Sequence, residues 1–361
     1  ELQRYGQAEE RYRKVLEVVP EAVPALRQLA FLLNRQGRRQ EASDYVRRLC
    51  RIGDVKQDEL HSLIAISDAM YDSPDETEAN ALGPVLYTPI GNSGEARKRF
   101  ADADYVGVVE LLKPEIELQQ APSEIVALFG RAATEAQIPA EIIWWRELIT
   151  EDLLVYGDYW AAIGTHELAQ RRYKTAIGAL GQAILRNPTD LASISRMRQA
   201  FEALGKEAEA QLWFDRWTKV RATVEANNEV AKSASPSPQS VARLVDGLDQ
   251  IGRKLEAVLW GAIELQATGG TSQSIRALQE KHSAVIEGGK LFPGKSDYWC
   301  GIEMESYPIP TFETALRALS NGVQPVSVAR PSNALYSAPL FRNASFDLGL
   351  EHTYRVSGVP L

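Results

Sequence analysis

Cysteine, histidine and methionine are scarce in this chain of 361 residues, with two, four and three copies. The two thiols, Cys50 and Cys300, stand 250 positions apart, which is neither a metal-ligand spacing nor a disulfide framework. Such usage fits a reducing compartment and equally an exported protein large enough to need no cross-links. No apolar run approaches the roughly 20 residues that span a bilayer, so no direct membrane insertion is expected. Positive charge is also in deficit. The net charge is −8, and binding along a phosphate backbone needs a basic surface, so nucleic acid is not the expected partner. The deficit is local: between Val55 and Glu95 a single base, Lys56, faces eight carboxylates. The chemistry-bearing motifs are missing as well. The glycine clusters "TGGTS" and "GNSGEARKRF" lack the Gly-Lys-Ser/Thr ending of a phosphate loop and read as loop punctuation. There is no G-x-S-x-G elbow, and no two carboxylates stand out as an acid and base couple. No catalytic residue, cofactor or metal is therefore expected.

What is present is an ordinary balance of 45% apolar and 24% charged residues, enough for a large core. One stretch, Tyr159 to Asp190, contains "HELAQ", the first half of the zinc signature H-E-x-x-H. That signature works because two imidazoles one helical turn apart reach the same ion. Here the second position is Gln170, and His61, His282 and His352 are scattered singly. An amide is a poor zinc ligand. The whole stretch reads better as one unit of a helical repeat, with His166 and Glu167 on a helix surface.

The repeat shows as self-similarity at an offset of 34. Trp160, Ile163, Gly164, Ala176, Leu180 and Ala183 recur one offset later as Ile194, Met197, Arg198, Ala210, Phe214 and Trp217. One offset earlier the slots hold Val126, Phe129, Gly130, Ile142, Arg146 and Ile149, and near the start Ala8, Tyr12 and Val15 recur as Ala42, Val46 and Leu49. Apolar residues at i, i+3, i+4 and i+7 give each helix one buried stripe. Small residues such as Gly164 and Ala176 let paired helices approach, and Trp160, Leu180 and Phe214 are expected to fill the space between pairs. Pro188 ends a second helix by removing a donor and crowding the turn before it. Trp144 and Trp145, about 100° apart on a helix, cannot share one core. At these residues the chain resembles the tetratricopeptide repeat (TPR) family, most clearly in "WAAIGTHELAQRRYKTAIGALGQAILRNP". The resemblance implies an all-α fold, a right-handed α-solenoid of TPR-like helix–turn–helix repeats, followed by an irregular or partly extended C-terminal segment.

The expected organisation follows from this register. Residues 1–54 hold TPR-like repeats, the first incomplete because Ala8 already sits in a second helix, as if a longer polypeptide preceded it. Residues 55–95 form an acidic insertion with a short helix in "LHSLIAISDAM". Residues 96–223 are a block of four repeats in one phase, anchored by Val108, Ile142, Ala176 and Ala210. Residues 224–239 are Ser/Pro-rich and read as a linker. Residues 240–290 carry further TPR-like helices, including one from about Ser274 to Glu287. Residues 291–361 are irregular, with one helix in "TFETALRALSNG". Along "FRNASFDLGLEHTYR", the residues Phe341, Leu348, Gly349, Leu350, His352 and Tyr354 resemble the opening of the FG-GAP/VCBS propeller region of bacterial TPR–FG-GAP–ASPIC/UnbV proteins. That resemblance implies a periplasmic or cell-surface setting and a longer protein.

In the TPR family the first helix of each unit lines a concave face that holds a peptide or helix. Carried onto this chain, the groove-lining slots are Arg27, Asn34, Arg35, Glu124, Arg131, Glu135, Asp158, Thr165, Arg196, Gln199, Glu202, Arg243, Asp246 and Asp249. Their mixed charge suits an apolar anchor with flanking ion pairs. The resulting expectation is a non-catalytic scaffold that binds a protein or peptide partner. The alternatives are a structural subunit of a larger complex docking through its insertions, and an enzyme with a site in 290–361.

Overall fold

A computed structural model of the chain describes residues 2–64, 88–231, 233, 236–287, 293–311, 355–356 and 359–360. Among them the protein is all-helical. In order, the helices are α1 (Leu2–Val18), α2 (Val23–Arg35), α3 (Arg39–Ile52), α4 (Gln57–Ile64), α5 (Gly91–Ala101), α6 (Tyr105–Glu117), α7 (Ser123–Glu135) and α8 (Pro139–Arg146). There follow α9 (Gly157–Ala169), α10 (Tyr173–Arg186), α11 (Leu191–Ala203), α12 (Glu207–Ala231), α13 (Pro238–Gln250), α14 (Lys254–Thr268), α15 (Ser272–Glu287) and the short α16 (Lys295–Tyr298). Most consecutive helices pack on one another along the chain, the exceptions among the described residues being α4 with α5, α8 with α9 and α15 with α16, and α7 also packs on α9 across the repeat. The only extended pairing among the described residues is a two-residue ladder, Arg355–Val356 against Val359–Pro360.

Six helix pairs share one turn. Two residues after the first helix of each pair the backbone is left-handed, at Gly37, Ala103, Gln137, Arg171, Gly205 and Gly252, with φ between 54° and 85°. The next amide then bonds five residues back: Arg38 to Leu33, Asp104 to Arg99, Ile138 to Ala133, Arg172 to Glu167, Lys206 to Phe201 and Arg253 to Leu248. This is the closure that satisfies carbonyls left open at a helix C-terminus. The second helix begins two residues after the left-handed position, and its fourth residue is Ala42, Val108, Ile142, Ala176, Ala210 or Ala257, all buried. The four anchors read from the sequence thus occupy one equivalent place.

Close approach within a pair depends on glycine. A Cβ on Gly164 would lie 2.6 Å from Leu180 Cγ, and one on Gly130 would lie 2.0 Å from the buried Trp145 ring. Trp160 and Leu180 are buried, Leu180 against Gly164 within its own pair and not only between pairs, but Phe214 is 45% exposed. The reason lies in the receiving slot. Where Gly164 admits Leu180, the next unit has Arg198, so Phe214 stays outside with the guanidinium 6.0 Å from its ring centre. Trp144 and Trp145 divide as their angular separation requires: Trp145 is buried, while Trp144 is half-buried and carries Lys113 over its ring.

Two other expectations are corrected. Glu167 is not on the surface: it is buried and ion-paired with Arg172 across the turn that follows α9. The polar stretch after residue 223 is not all linker. Ala222 stands one offset after Pro188, so nothing stops the helix, and α12 continues to Ala231 with Val224, Asn227 and Val230 buried. The segment from Pro293 to Thr311 packs back on the array. Its Trp299 indole donates to Gly181 O at 3.2 Å, and a Cβ on Gly178 would meet Pro308 O at 2.1 Å. The helix expected in "TFETALRALSNG" and the propeller-like residues 341–354 lie outside the described residues, as do residues 65–87 of the acidic insertion.

The apolar core has two parts. One gathers α5 to α9. The other joins α2–α4, through Leu26, Leu29, Val46, Leu60, Leu63 and Ile64, to α10–α14. The N-terminal helices therefore do not simply extend the row. They lie against its middle.

Candidate functional site

Of the slots assigned to a groove, Thr165 is half-buried on α9 and Asp249 is exposed on α13, and the others separate into three groups. The first is a buried ladder of alternating charge between α5, α7, α9 and the start of α11. Arg97 places Nη1 2.8 Å from Asp158 and Nη2 3.6 Å from Glu124. Arg131 places Nη1 2.7 Å from the other Asp158 oxygen and Nη2 2.8 Å from Asp190. Glu124, Arg131 and Asp158 were assigned from the sequence; Arg97 and Asp190 were not. The signal for Arg97 was available, since Arg97 and Arg131 are one 34-residue offset apart, as are Glu124 and Asp158.

The ladder sets its own ionisation. Burial opposes charge on Asp158, but Arg97 and Arg131 outweigh it and hold the carboxyl below the usual range. Burial likewise opposes charge on Arg131, yet Asp190 and Asp158 leave it more firmly protonated than a free arginine. Glu124 goes the other way. Its burial outweighs Arg97 and two amide bonds, and its pKa is pushed up to about 7. All these groups are buried within the chain, and the start of α3 covers the Glu124 end: Gln40 N and Glu41 N donate to the Glu124 carboxyl group at 2.8 and 3.1 Å.

The second group is open. Gln199, Glu202, Arg243 and Asp246 lie exposed on α11 and α13, with Glu202 paired to Arg198 and Arg243 to Glu229 at the surface. These two pairs are exposed and add little stability. Arg196, less open, pairs with Glu135, whose side chain is mostly enclosed.

The third group lies on α2. Arg27, Phe31 and Asn34, at i, i+4 and i+7, follow one stripe of that helix and line a cleft of about 170 Å³ with Gln28, Ala30, Val46, Lys56, Asp58 and Glu59. Arg27 is fixed by Glu59 at 2.6 Å and Asp54 at 2.9 Å. Arg35 donates to Thr88 O at 2.9 Å and stands over the Phe31 ring. Phe31 is nevertheless 42% exposed, and Lys56 is exposed at the rim. Neither occupies a polar groove slot of a first helix: Phe31 is apolar, and Lys56 stands just before α4. An apolar surface with a cation at its edge suits an apolar side chain next to a carboxylate.

Among the described residues no group of three or more histidine, cysteine, aspartate or glutamate side chains could hold a metal, and no helix is long and apolar enough to cross a membrane. His61 is a core group: burial, opposed by its bond to Asn227, lowers its pKa to about 4. No protein-family model and no curated protein matches the chain.

Proposed function

We propose that this chain is a non-catalytic scaffold, a right-handed solenoid of TPR-like repeats forming the N-terminal part of a larger protein. It binds an extended peptide of a partner protein in the cleft on α2. The cleft carries the reading: Phe31 and Arg27 stand on one helical stripe beside Lys56, where open first-helix surface also forms a concavity. An apolar side chain of the peptide sits on Phe31, and an adjacent acidic residue faces Lys56. The six repeated turns support the family reading, because a unit that cannot cover its own apolar face has to stack on neighbours.

The test is selection of displayed random peptides on the full chain, followed by titration of the winners against Phe31→Ser, Lys56→Glu and Arg243→Glu. Peptides with an apolar–acidic pair are expected to lose at least about tenfold in affinity, roughly 1.4 kcal/mol, on the first two chains and nothing on the third. Winners that bind all three variants as well as the wild type would refute the site.

A further inference from the structure

The ladder face of α5, α7 and α9 already has an occupant, the start of α3. The residue before α3, Arg38, gives no side-chain cap, and Glu124 from α7 takes that role by accepting the Gln40 and Glu41 amides. Carboxyl oxygens at a helix N-terminus meet amide donors that have no partner within the helix. Gln40 completes the contact at two points: Nε2 donates to Val155 O at 2.6 Å, and Oε1 accepts from Gly157 N, the first residue of α9, at 2.7 Å. Arg97 Nε donates to Gly37 O at 3.1 Å. The far end is held in the same manner. Thr189 Oγ1 donates to Ile64 O at 2.7 Å, Arg253 Nη2 donates to Leu63 O at 3.1 Å, and His61 Nδ1 meets Asn227 Oδ1 at 2.7 Å.

These contacts differ from those that build the repeats. Beside the shared apolar core, and apart from the side chains of Arg35, Gln40, Glu41 and His61, the hydrogen bonds between the array and the N-terminal helices reach backbone groups of those helices: two amides at the start of α3 and carbonyls at Arg35, Gly37, Leu63 and Ile64. The polar part of this surface reads the uncapped start of a helix together with the glutamine beside it.

We propose that the α5–α7–α9 face is a receptor for a helix N-terminus, occupied in the resting chain by α2–α4 as an internal ligand. A partner helix whose first amides lack a side-chain cap and whose second residue is glutamine takes the same place when α2–α4 leaves. The proposal goes beyond peptide binding in the α2 cleft, and either can fail without the other.

The test uses the full chain and Gln40→Glu, which sets a carboxylate against Val155 O and beside Glu124. Hydrogen exchange follows residues 36–64 and 105–231, and the probe is a labelled peptide of residues 36–52. In Gln40→Glu, residues 36–64 are expected to exchange at least about tenfold faster than in the wild type, with 105–231 unchanged. The peptide is expected to bind this variant at least about tenfold tighter than the wild type. Joint acceleration of both regions, or a peptide that does not distinguish the chains, overturns the proposal. If Gln40→Glu does not fold, wild-type exchange in urea below the unfolding midpoint decides. Release of 36–64 ahead of 105–231 supports the proposal, and one common transition overturns it. Peptide titration of Phe31→Ser reports on the cleft separately.

Discussion

Replacing Arg131 by methionine keeps the apolar stem of the side chain and removes the charge that joins Asp158 to Asp190. In the wild type its two Nη atoms lie 2.7 and 2.8 Å from those carboxylates, and all three residues are buried. Removing one partner of a buried pair costs about 3–5 kcal/mol, mostly because the remaining charge is left without compensation. Here neither carboxylate is abandoned. Asp158 keeps Arg97 at 2.8 Å, and Asp190 keeps the Ala192 amide at 3.2 Å and the Ser193 hydroxyl at 2.7 Å. The expected loss is therefore at the lower end, about 3 kcal/mol. Arg243→Met is the control, because its pair with Glu229 is more than half exposed on the arginine side, and it should lose less than about 1 kcal/mol. The assay is urea unfolding at pH 7 followed by tryptophan fluorescence, with the slope required to stay constant. A pH series adds a second reading. Asp158 titrates below its unfolded value, so its contribution is present above that value and is lost as pH falls through the folded one. The gap between wild type and Arg131→Met should accordingly narrow in acid. Two variants equally close to the wild type, or a gap independent of pH, would refute the reasoning.

Two further outcomes follow from the packing and from the ladder. Gly130→Ala places a Cβ 2.0 Å from the Trp145 ring and strains the indole bond to Val126 O; about 1 kcal/mol of helix propensity only partly offsets the overpacking, for a net loss of about 2 kcal/mol. Gly6→Ala, exposed in α1 with nothing within 4 Å, should instead gain about 0.5 kcal/mol; equal thermal midpoints for the two variants would argue against close helix contact at Gly130. Glu124 holds its proton to about pH 7 against an ordinary value near 4.5, so its contribution is intact below 4.5 and is lost as pH rises through 7. Glu124→Gln loses the Glu41 amide bond at every pH, but its stability relative to the wild type should rise between pH 5 and 8. Parallel pH curves for the two chains would sink the assignment.

How much of this could be seen in the sequence depends on whether a contact repeats. The anchors Val108, Ile142, Ala176 and Ala210 were legible because each meets its own partner helix in the same way, and the same geometry recurs at Ala42 and Ala257. The end of α10 before Pro188 was legible for the same reason. Phe214 was misplaced because the slot was considered without its receiver: Leu180 needs Gly164, and Arg198 cannot act as a glycine. The docking of α2–α4 left no periodic trace. Gln40 with the Gly157 amide and His61 with Asn227 are single pairings, 117 and 166 residues apart, made by side chains that read in isolation as solvated.

The charged ladder lies between these cases. Arg97 and Arg131 repeat at the offset, as do Glu124 and Asp158, yet polar residues on a repeat's first helix look the same whether they face solvent or each other. What separates the two is the match of signs in neighbouring units. An arginine recurring beside a recurring acid can satisfy both neighbours at once, as Arg97 does with Glu124 and Asp158, and such a ladder tolerates burial where isolated charges would not. The N-terminal helices can then cover it at little electrostatic cost. The one acid at its end with a single, longer arginine contact, Glu124 at 3.6 Å from Arg97, is the one that takes the open amides of α3. Charge pairing across the repeats and capping of the incoming helix are thus parts of one arrangement, and the position where the ladder runs short of arginine sets where the chain folds back on itself.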